Sequence, residues 1–356
     1  MNRRGAEGAE KGEGRVMEGF LFRNWYIVCT SGELARKPIG RTVLGIPLAV
    51  FRGIDGKPSA LLDKCPHRNV PLSKGWVKNN YLICKYHGWC FDGQGVCQEI
   101  PGLCHRNEAR HRNAVAYPVI EQDGFIWVYC QAGELPKSQP YEFPCLRQEG
   151  FSTFSKQMEC ETTLENAAEN FLDATHTHFV HSGLIRTDNQ RKEITVKITR
   201  SENMVEAVYL NEETISGLIY KLLAPGCNKV ISISRFILPS IAQLEYRTDS
   251  DRNRLFISLF LTPVTKKLTK AYSIITFRSW LPNWLGRVIA QPLFAQAARQ
   301  DKEILQLQTW NINRFQGENF VFTEIDVLRP HILYLLKPGS NENESLVFEK
   351  TIKMKI

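Results

Sequence analysis

The sequence contains no apolar stretch long enough to cross a membrane. Its longest apolar segments, 255–264 and 284–298, are broken by proline, arginine or glutamine and stay below the roughly 18 to 20 residues that a membrane span requires. Residues 1–16 also lack the apolar core of a secretory signal, being rich in Gly, Ala, Glu and Arg. We therefore expect no transmembrane helix, a cytoplasmic location, and a disordered tail over residues 1–18, with Met17 as an alternative translation start.

Internal repeats and blocks of like charge are also missing. The net charge of +8 is spread along the chain, which predicts a solvated basic surface, open to an acidic redox partner, and no nucleic-acid binding. Ten cysteines would suit the disulfides of a small secreted domain, but a chain of 356 residues without an export signal favours a reducing compartment. The cysteines are therefore candidates for metal ligands.

Strand and helix patterns divide the chain into two regions. From Trp25 to about Tyr129, short apolar segments alternate with turn signals such as Asp123-Gly124, which predicts an all-β domain. A proline-containing linker follows, then a predicted helix over 163–180, the alternating strands of an antiparallel sheet, and helical spacing again over 284–315. We predict an α+β fold, with the boundaries 19–135 for the first domain, 136–150 for the linker and 151–350 for the second domain.

The most specific motif is Cys65-Pro66-His67, followed after sixteen residues by Cys84-Lys85-Tyr86-His87. Two thiolates and two imidazoles on two loops are the ligand set of a Rieske 2Fe-2S cluster, in which the cysteines hold one iron and the histidines the other. A single zinc ion is the alternative, since it also accepts two cysteines and two histidines. The other cysteines, including Cys90, Cys97 and Cys104, show no second metal-binding spacing and are expected to be small buried hydrophobes.

A second concentration of ligands lies in residues 169–181, which contain three histidines and two acids. Two imidazoles and one carboxylate on one face of ferrous iron leave three coordination positions open. On a regular helix His178 and His181 would share a face, whereas His176 and His181 would diverge by about 140°. Helix geometry does not settle which histidines bind, although spacing alone would favour His178 with His181, and the third ligand must come from elsewhere in the chain.

At these motifs the chain resembles the Rieske non-haem iron oxygenase family, of the aromatic ring-hydroxylating α-subunit type. Respiratory Rieske proteins carry an extra cysteine in each ligand loop, and here those places hold Val70 and Tyr86. In length the chain is similar to the short homotrimeric monooxygenases and demethylases of the family. The resemblance is carried by Cys65-Pro66-His67-Arg68, by Cys84 to Trp89 with Phe91-Asp92, and by Glu169, Asp173, His176 and His181, which match an acidic-x3-Asp-x2-His-x4-His motif.

The resemblance implies a role for each candidate residue. The cluster would be held by Cys65, His67, Cys84 and His87. The mononuclear Fe2+ would be held by His176, His181 and Asp301, with Glu303 as the rival acid, His178 as a packing neighbour, and a helix end or π-bulge between the two ligand histidines. Asp173 would link an iron ligand to a cluster histidine of a neighbouring subunit in a homotrimer.

The resemblance also implies a fold and a reaction. The fold would be an all-β Rieske domain followed by a helix-grip (START-like) antiparallel-sheet catalytic domain. The reaction would be activation of O2 to hydroxylate or oxidatively demethylate a small aromatic, terpenoid or alkaloid-like substrate, with electrons from NAD(P)H through a reductase and, in some systems, a ferredoxin. The alternatives are arene cis-dihydroxylation or desaturation and, in another class, a Rieske electron carrier, which would not need the second iron motif.

Overall fold

The computed structural model describes most of the chain, namely residues 21–104, 109–186, 191–213, 217–219, 229–248, 254–278, 281–337 and 347–356. The tail predicted for residues 1–18, including Met17, lies outside the described residues. No helix in the described ranges is long and apolar enough to span a membrane. The chain separates into two units, Met1–Glu142 with Thr262–Thr265, and Phe143–Leu261 with Lys266–Ile356.

The first unit consists of short antiparallel strands. They are β1 (Trp25–Thr30), β2 (Ile39–Val43), β3 (Ile46–Arg52), β4 (Pro58–Leu62), β5 (Trp76–Lys78), β6 (Tyr81–Ile83), β7 (Cys90–Phe91), β8 (Cys97–Glu99), β9 (Ala116–Tyr117), β10 (Val119–Gln122) and β11 (Phe125–Tyr129). They form three sheets with the orders β1-β11-β10, β2-β3-β4-β9 and β5-β6-β7-β8. The predicted Asp123-Gly124 turn joins β10 to β11, and both of its residues have positive φ angles, 54° and 80°, as the favoured two-residue hairpin turn requires.

The core of the first unit includes two of the predicted metal ligands. Cys65 and Cys84 are 1% and 2% exposed and pack in one apolar cluster with Phe51, Leu72 and Phe91. Burial of this apolar surface, at about 25 cal/mol per Å2, is the main force that stabilises the strands around the ligand loops. The two ligand loops are therefore anchored in the packed core through their cysteines.

The second unit is dominated by one eight-stranded sheet. Its strands are β12 (Ser152–Cys160), β13 (Glu193–Arg200), β14 (Met204–Glu213), β15 (Lys229–Ile237), β16 (Ile241–Thr248), β17 (Arg254–Thr265), β18 (Leu268–Arg278) and β19 (Phe348–Lys355). Their order is β12-β18-β17-β16-β15-β14-β13-β19, so that six consecutive strands lie side by side and the first and last strands close the two edges. Together with the all-β first unit, this sheet confirms the predicted α+β fold class.

Three α-helices accompany this sheet in the described part of the second unit, α1 (Leu164–Leu172), α2 (Asn283–Phe315) and α3 (Arg329–Leu336). Thr163 caps α1 by accepting a hydrogen bond from the Asn166 N–H. Helix α1 contacts β16, α2 and α3, and α2 contacts β12. The predicted helix over 284–315 is confirmed by α2, whereas the predicted helix over 163–180 is wrong, since α1 ends at Leu172.

Candidate metal centres

The first predicted ligand loop follows β4. The backbone N–H of Cys65 donates to the carbonyl of Val70 at 3.0 Å, and the N–H of Asn69 donates to the carbonyl of Cys65 at 2.8 Å. Asn69 has a φ of 59°, in the left-handed region that asparagine tolerates better than most residues. The loop folds back over a buried Cys65 thiol and presents His67, which is partly exposed, near its tip.

The second ligand loop joins β6 to β7 and repeats the first one bond for bond. The N–H of Cys84 donates to the carbonyl of Trp89 at 2.9 Å, and the N–H of Gly88 donates to the carbonyl of Cys84 at 3.0 Å. Gly88 has a φ of 70°, and a Cβ there would lie only 3.0 Å from the Cγ of Pro101. Glycine is thus required at this position for both its conformation and its size.

The two loops bring the two imidazoles together at the surface. The ring centroids of His67 and His87 lie 4.5 Å apart, and the Trp89 indole stacks on His67 at 4.8 Å with an interplanar angle of 8°. The Nδ1 atom of His67 is buried and has no hydrogen-bond partner among the described residues. Burial and the neighbouring His87 lower the pKa of His67, which favours the neutral form that binds metal.

The two thiols lie on the buried side of the same site. Burial raises the pKa of Cys65 to about 11, and the neighbouring Cys84 thiol contributes to this rise. Both thiols must lose their protons to bind a metal. The two sulfur atoms therefore lie toward the protein core, and the two imidazoles lie toward the surface. This arrangement fits a cluster with one cysteine-bound iron and one histidine-bound iron.

The spread of these four donors bears on the zinc alternative. Within the described ranges, His176, His181 and Asp301 form the only group of three or more His, Cys, Asp or Glu residues whose ligand atoms all lie within 4.8 Å of one another. Ligands of one zinc ion sit about 2.0 to 2.3 Å from the metal and would meet that limit. The Cys65, His67, Cys84 and His87 donors do not form such a compact group among the described residues.

The second site begins where helix α1 stops. The carboxylate of Asp173, the residue after α1, accepts hydrogen bonds from the Thr175 N–H at 2.7 Å and the His176 N–H at 3.2 Å. These bonds hold the next turn, a 3-10 helix over His176–His178, away from the axis of α1. The predicted 163–180 helix fails for this reason, because the Asp173 side chain offers the backbone N–H groups an alternative to the helical pattern. The end of α1 precedes both histidines, and between His176 and His181 the chain leaves the 3-10 helix after His178 without a π-bulge.

His176, His181 and Asp301 converge behind this turn. The Nε2 atoms of His176 and His181 lie 3.4 Å and 3.0 Å from the Oδ1 atom of Asp301, which helix α2 supplies. His176 Nε2 and Asp301 Oδ1 are buried and make no hydrogen bond within the described ranges. Buried polar atoms of this kind need a partner, and two imidazoles with one carboxylate suit ferrous iron.

The electrostatics of this group are those of a cation site. Burial by itself lowers the pKa of His176, but the carboxylates of Asp173 and Asp301 outweigh it and raise that pKa to about 9. Burial likewise acts to raise the pKa of Asp301, yet the two histidines outweigh it and lower the pKa. The pocket between these side chains attracts positive charge, whether a proton or a metal ion.

Gln300, which sequence reasoning did not single out, holds one of the imidazoles. Its Oε1 atom lies 2.9 Å from the Nδ1 atom of His181. An amide oxygen there keeps the proton on Nδ1 and leaves the lone pair of Nε2 free toward Asp301. Its position next to Asp301 in the sequence is the feature from which this role could have been predicted. The rival acid Glu303 is exposed on α2, and neither Glu303 nor His178 joins the converging group.

The converging group opens into a cavity of about 500 Å3. Its walls come from helices α1 and α2 and from the face of the sheet that carries Leu244, Ile257 and Ile275. A cavity of this size is within the range that accepts drug-sized molecules. The site thus combines a set of metal ligands with a mostly apolar chamber beside it.

Comparison with known proteins agrees with this geometry. Residues 24–115 match the Rieske [2Fe-2S] domain, and residues 160–332 match the vanillate O-demethylase oxygenase C-terminal domain. The chain is 36% identical to the oxygenase component of dicamba O-demethylase from Stenotrophomonas maltophilia over 177 residues, which are 48% of this chain and 50% of that protein. The chain therefore spans about half the length of such curated relatives.

Two further similarities cover more of the chain. The methylxanthine N3-demethylase of Pseudomonas putida is 26% identical over 270 residues, which are 72% of this chain and 73% of that protein. The crystal structure of dicamba monooxygenase bound to 3,6-dichlorosalicylic acid superposes with a TM-score of 0.74 at 25% identity, covering 89% of this chain and 98% of that one. Two matched domains in this order, both with their metal-ligating residue types in place, show that the chain belongs to the Rieske non-haem iron oxygenase family.

Proposed function

We propose that the chain is an oxygenase component that inserts oxygen into a small organic molecule, by hydroxylation or by oxidative demethylation. The observation that carries the proposal is the convergence of His176, His181 and Asp301 on a mostly apolar chamber. Two imidazoles and a carboxylate on one face of an iron leave three positions for oxygen and substrate. A pure electron carrier would need neither the triad nor the chamber.

When bound, the 2Fe-2S cluster supplies electrons and the ferrous iron supplies oxygen activation. The protein contributes the surroundings. Cys65 and Cys84 would hold the inner iron of the cluster and His67 and His87 the outer one. At the second site Asp301 would offset part of the ferrous charge.

The walls of the chamber have a part in the reaction as well. Gln300 would keep the Nε2 lone pair of His181 directed at the metal. The apolar lining contributed by residues such as Ile257 and Leu259 would exclude water while the substrate is bound. Water exclusion strengthens the electrostatic contacts inside the site and prevents loss of the oxidant to solvent.

The stoichiometry of the reaction determines how many electrons and protons the site must receive. One oxygen atom enters the product and the other leaves as water, which consumes two electrons and two protons. In a demethylation the same hydroxylation falls on a methyl group bound to oxygen or nitrogen, and the product then loses formaldehyde. We propose that the electrons come from NAD(P)H through a reductase, with or without a ferredoxin. The demethylase relatives support this reaction.

The proposal includes a homotrimer in which Asp173 serves electron transfer between subunits. Its Oδ2 atom lies 3.5 Å from the Nδ1 atom of His176, and its side chain is 33% exposed. A carboxylate that touches an iron ligand on one side and remains accessible on the other is suited to receive a hydrogen bond from a cluster histidine of a neighbouring subunit.

Iron content and product labelling test the proposal. The reconstituted full-length chain should hold about three irons and two acid-labile sulfides, whereas a Rieske electron carrier would hold about two irons. The reduced protein should then be screened under 18O2 against methoxylated and N-methylated aromatics, terpenoids and alkaloids. One labelled oxygen in an alcohol product, or release of formaldehyde, is expected. Two labelled oxygens in a cis-diol would indicate dihydroxylation, and two irons per chain would contradict the oxygenase proposal.

A further inference from the structure

Among the described lysines and arginines that line the chamber, Arg186 is the buried one, and its charge is already neutralised. Arg186 is 7% exposed and lines the chamber. Its guanidinium donates to the carbonyl of Ala174 at 2.8 Å, to the hydroxyl of Thr177 and to the carboxylate of Glu212. Each of these acceptors belongs to the protein, so the charge of Arg186 is engaged before any substrate arrives.

Glu212 reaches Arg186 because strand β14 carries a register shift. Its pairing with β15 is irregular between Tyr209 and Glu212. In a regular strand two residues three positions apart would point to opposite faces. The extra residue turns the Glu212 carboxylate to the side of Tyr209, where it also accepts a hydrogen bond from Ser232. A β-bulge that redirects a side chain in this way is a built feature of the strand.

Two neutral hydroxyls lie at the same part of the chamber lining. Tyr209 and Ser234 are 1% and 2% exposed, and both line the chamber. Burial raises the pKa of Tyr209, so the phenol is uncharged. Each hydroxyl can donate one hydrogen bond and accept others, so the pair is able to bind a polar group of a substrate.

The other lysines and arginines among the described residues that line the chamber are not buried. Lys156 and Arg299 line the chamber but are exposed, and Lys302 is only half-buried. Attraction to exposed cations is screened by water and salt. A carboxylate placed beside Tyr209 would lose its hydration without gaining a free side-chain cation, and the charge of the proposed ferrous ion is already partly offset by Asp301. Taking Arg186 away from Glu212 would leave the Glu212 charge buried and unpaired.

We propose that this chamber selects uncharged, largely hydrophobic substrates and that Tyr209 and Ser234 hydrogen-bond to one oxygen-bearing group of the substrate. The inference rests on the proposed function for the reaction, but the selection by charge is a property of the chamber itself. It separates this chain from oxygenases of the same fold that act on aromatic acids such as dicamba.

Binding of matched probes tests the inference without turnover. The probes are 6-methoxynaphthalene-2-methanol and 6-methoxynaphthalene-2-carboxylate, which differ mainly in charge. Equilibrium dialysis is carried out on the iron-loaded full-length protein at neutral pH without oxygen, so that a failure of oxygenation and a failure of charge selection are seen separately. The wild-type protein should bind the alcohol about tenfold more tightly than the acid.

Two variants on one strand sharpen the test. Glu212→Gln releases the charge of Arg186, so the acid should gain affinity and the preference for the alcohol should disappear. Glu206→Gln is the matched control, because Glu206 lies on the same strand and pairs with Arg235 at 2.5 Å, while neither residue lines the chamber. That control should keep the wild-type preference. If Glu212→Gln does not fold, the double variant Arg186→Gln/Glu212→Gln removes both charges and should also keep it.

The hydroxyl part of the inference is tested with a third probe. Ser234→Ala should weaken binding of the alcohol but leave binding of 2-methoxy-6-methylnaphthalene, which has no hydroxyl, unchanged. Equal binding of acid and alcohol by the wild-type protein, or millimolar or weaker binding of every probe, would overturn the inference. An unchanged preference in a folded Glu212→Gln variant would overturn it as well.

Discussion

The two candidate metal sites differ in how far apart their residues lie in the sequence. In the first unit, each loop builds its half of the site from a few consecutive residues, and the two halves share one hydrogen-bond pattern. In the second unit, a helix end supplies two histidines and a distant helix supplies the carboxylate. His181 and Gln300, for example, are 119 positions apart.

This difference has physical consequences. A site made of two short loops on a packed core depends on local turn geometry and on cysteine burial. A site assembled from distant segments depends on how α1 and α2 pack, and on side chains such as Gln300 that hold a ligand without touching the metal. The first site should therefore lose its metal as a whole, whereas the second can be weakened in steps.

The largest expected effect is at the first site. His67→Ala or His87→Ala should abolish the visible absorption and the rhombic electron-spin resonance signal of the cluster, because each removes one of the two protein ligands of the outer iron. His111→Ala, at an exposed histidine of the same unit, is the control and should keep both signals. A full cluster signal in either ligand variant would contradict the assignment.

The next effect separates the two sites. Asp301→Ala should lower bound iron by about one per chain and leave the cluster spectrum intact, because the triad loses its one carboxylate and with it both charge and a ligand. Iron analysis together with the absorption spectrum measures both. Glu303→Ala, two positions along the same helix, should change neither, and the opposite pattern would make Glu303 the ligand.

A smaller effect is expected where the sites are proposed to communicate between subunits. Asp173→Asn should keep most of the iron at both sites, but oxygen consumption and product formation should fall by about 10-fold to 100-fold. The amide keeps a similar shape and removes the charge beside His176. If the variant binds its iron, is reduced normally and turns over at the wild-type rate, the bridging role is wrong.

The smallest effect concerns the orientation of a single ligand. Gln300→Ala should weaken binding of the mononuclear iron by about 10-fold, because His181 loses the partner of its Nδ1 atom. Iron affinity is measured by competition with a chelator while the cluster spectrum is monitored. Gln306→Ala, at an exposed glutamine of the same helix, serves as the control. Equal affinities in the two variants would show that Gln300 does not orient His181.

The sequence predicts more of the first unit than of the second. The cysteine and histidine spacing, the Asp123-Gly124 hairpin turn and helix α2 are local features, and each was predictable from neighbouring residues. Helix α1 was predicted too long because the apolar pattern continues past Leu172, while the break comes from hydrogen bonds of the Asp173 side chain. Spacing on a regular helix favoured His178 with His181, and the break after α1 brings His176 to Asp301 instead.

The sequence by itself determined the donor types, the fold class and the family, because these are written in short motifs and in the periodicity of apolar residues. Only the tertiary structure decided which histidines meet the Asp301 carboxylate, that Gln300 holds His181, and that a bulge in β14 brings Glu212 to Arg186. These contacts join residues far apart along the chain. Their geometry is set by the packing of α1, α2 and the sheet, which no local pattern specifies.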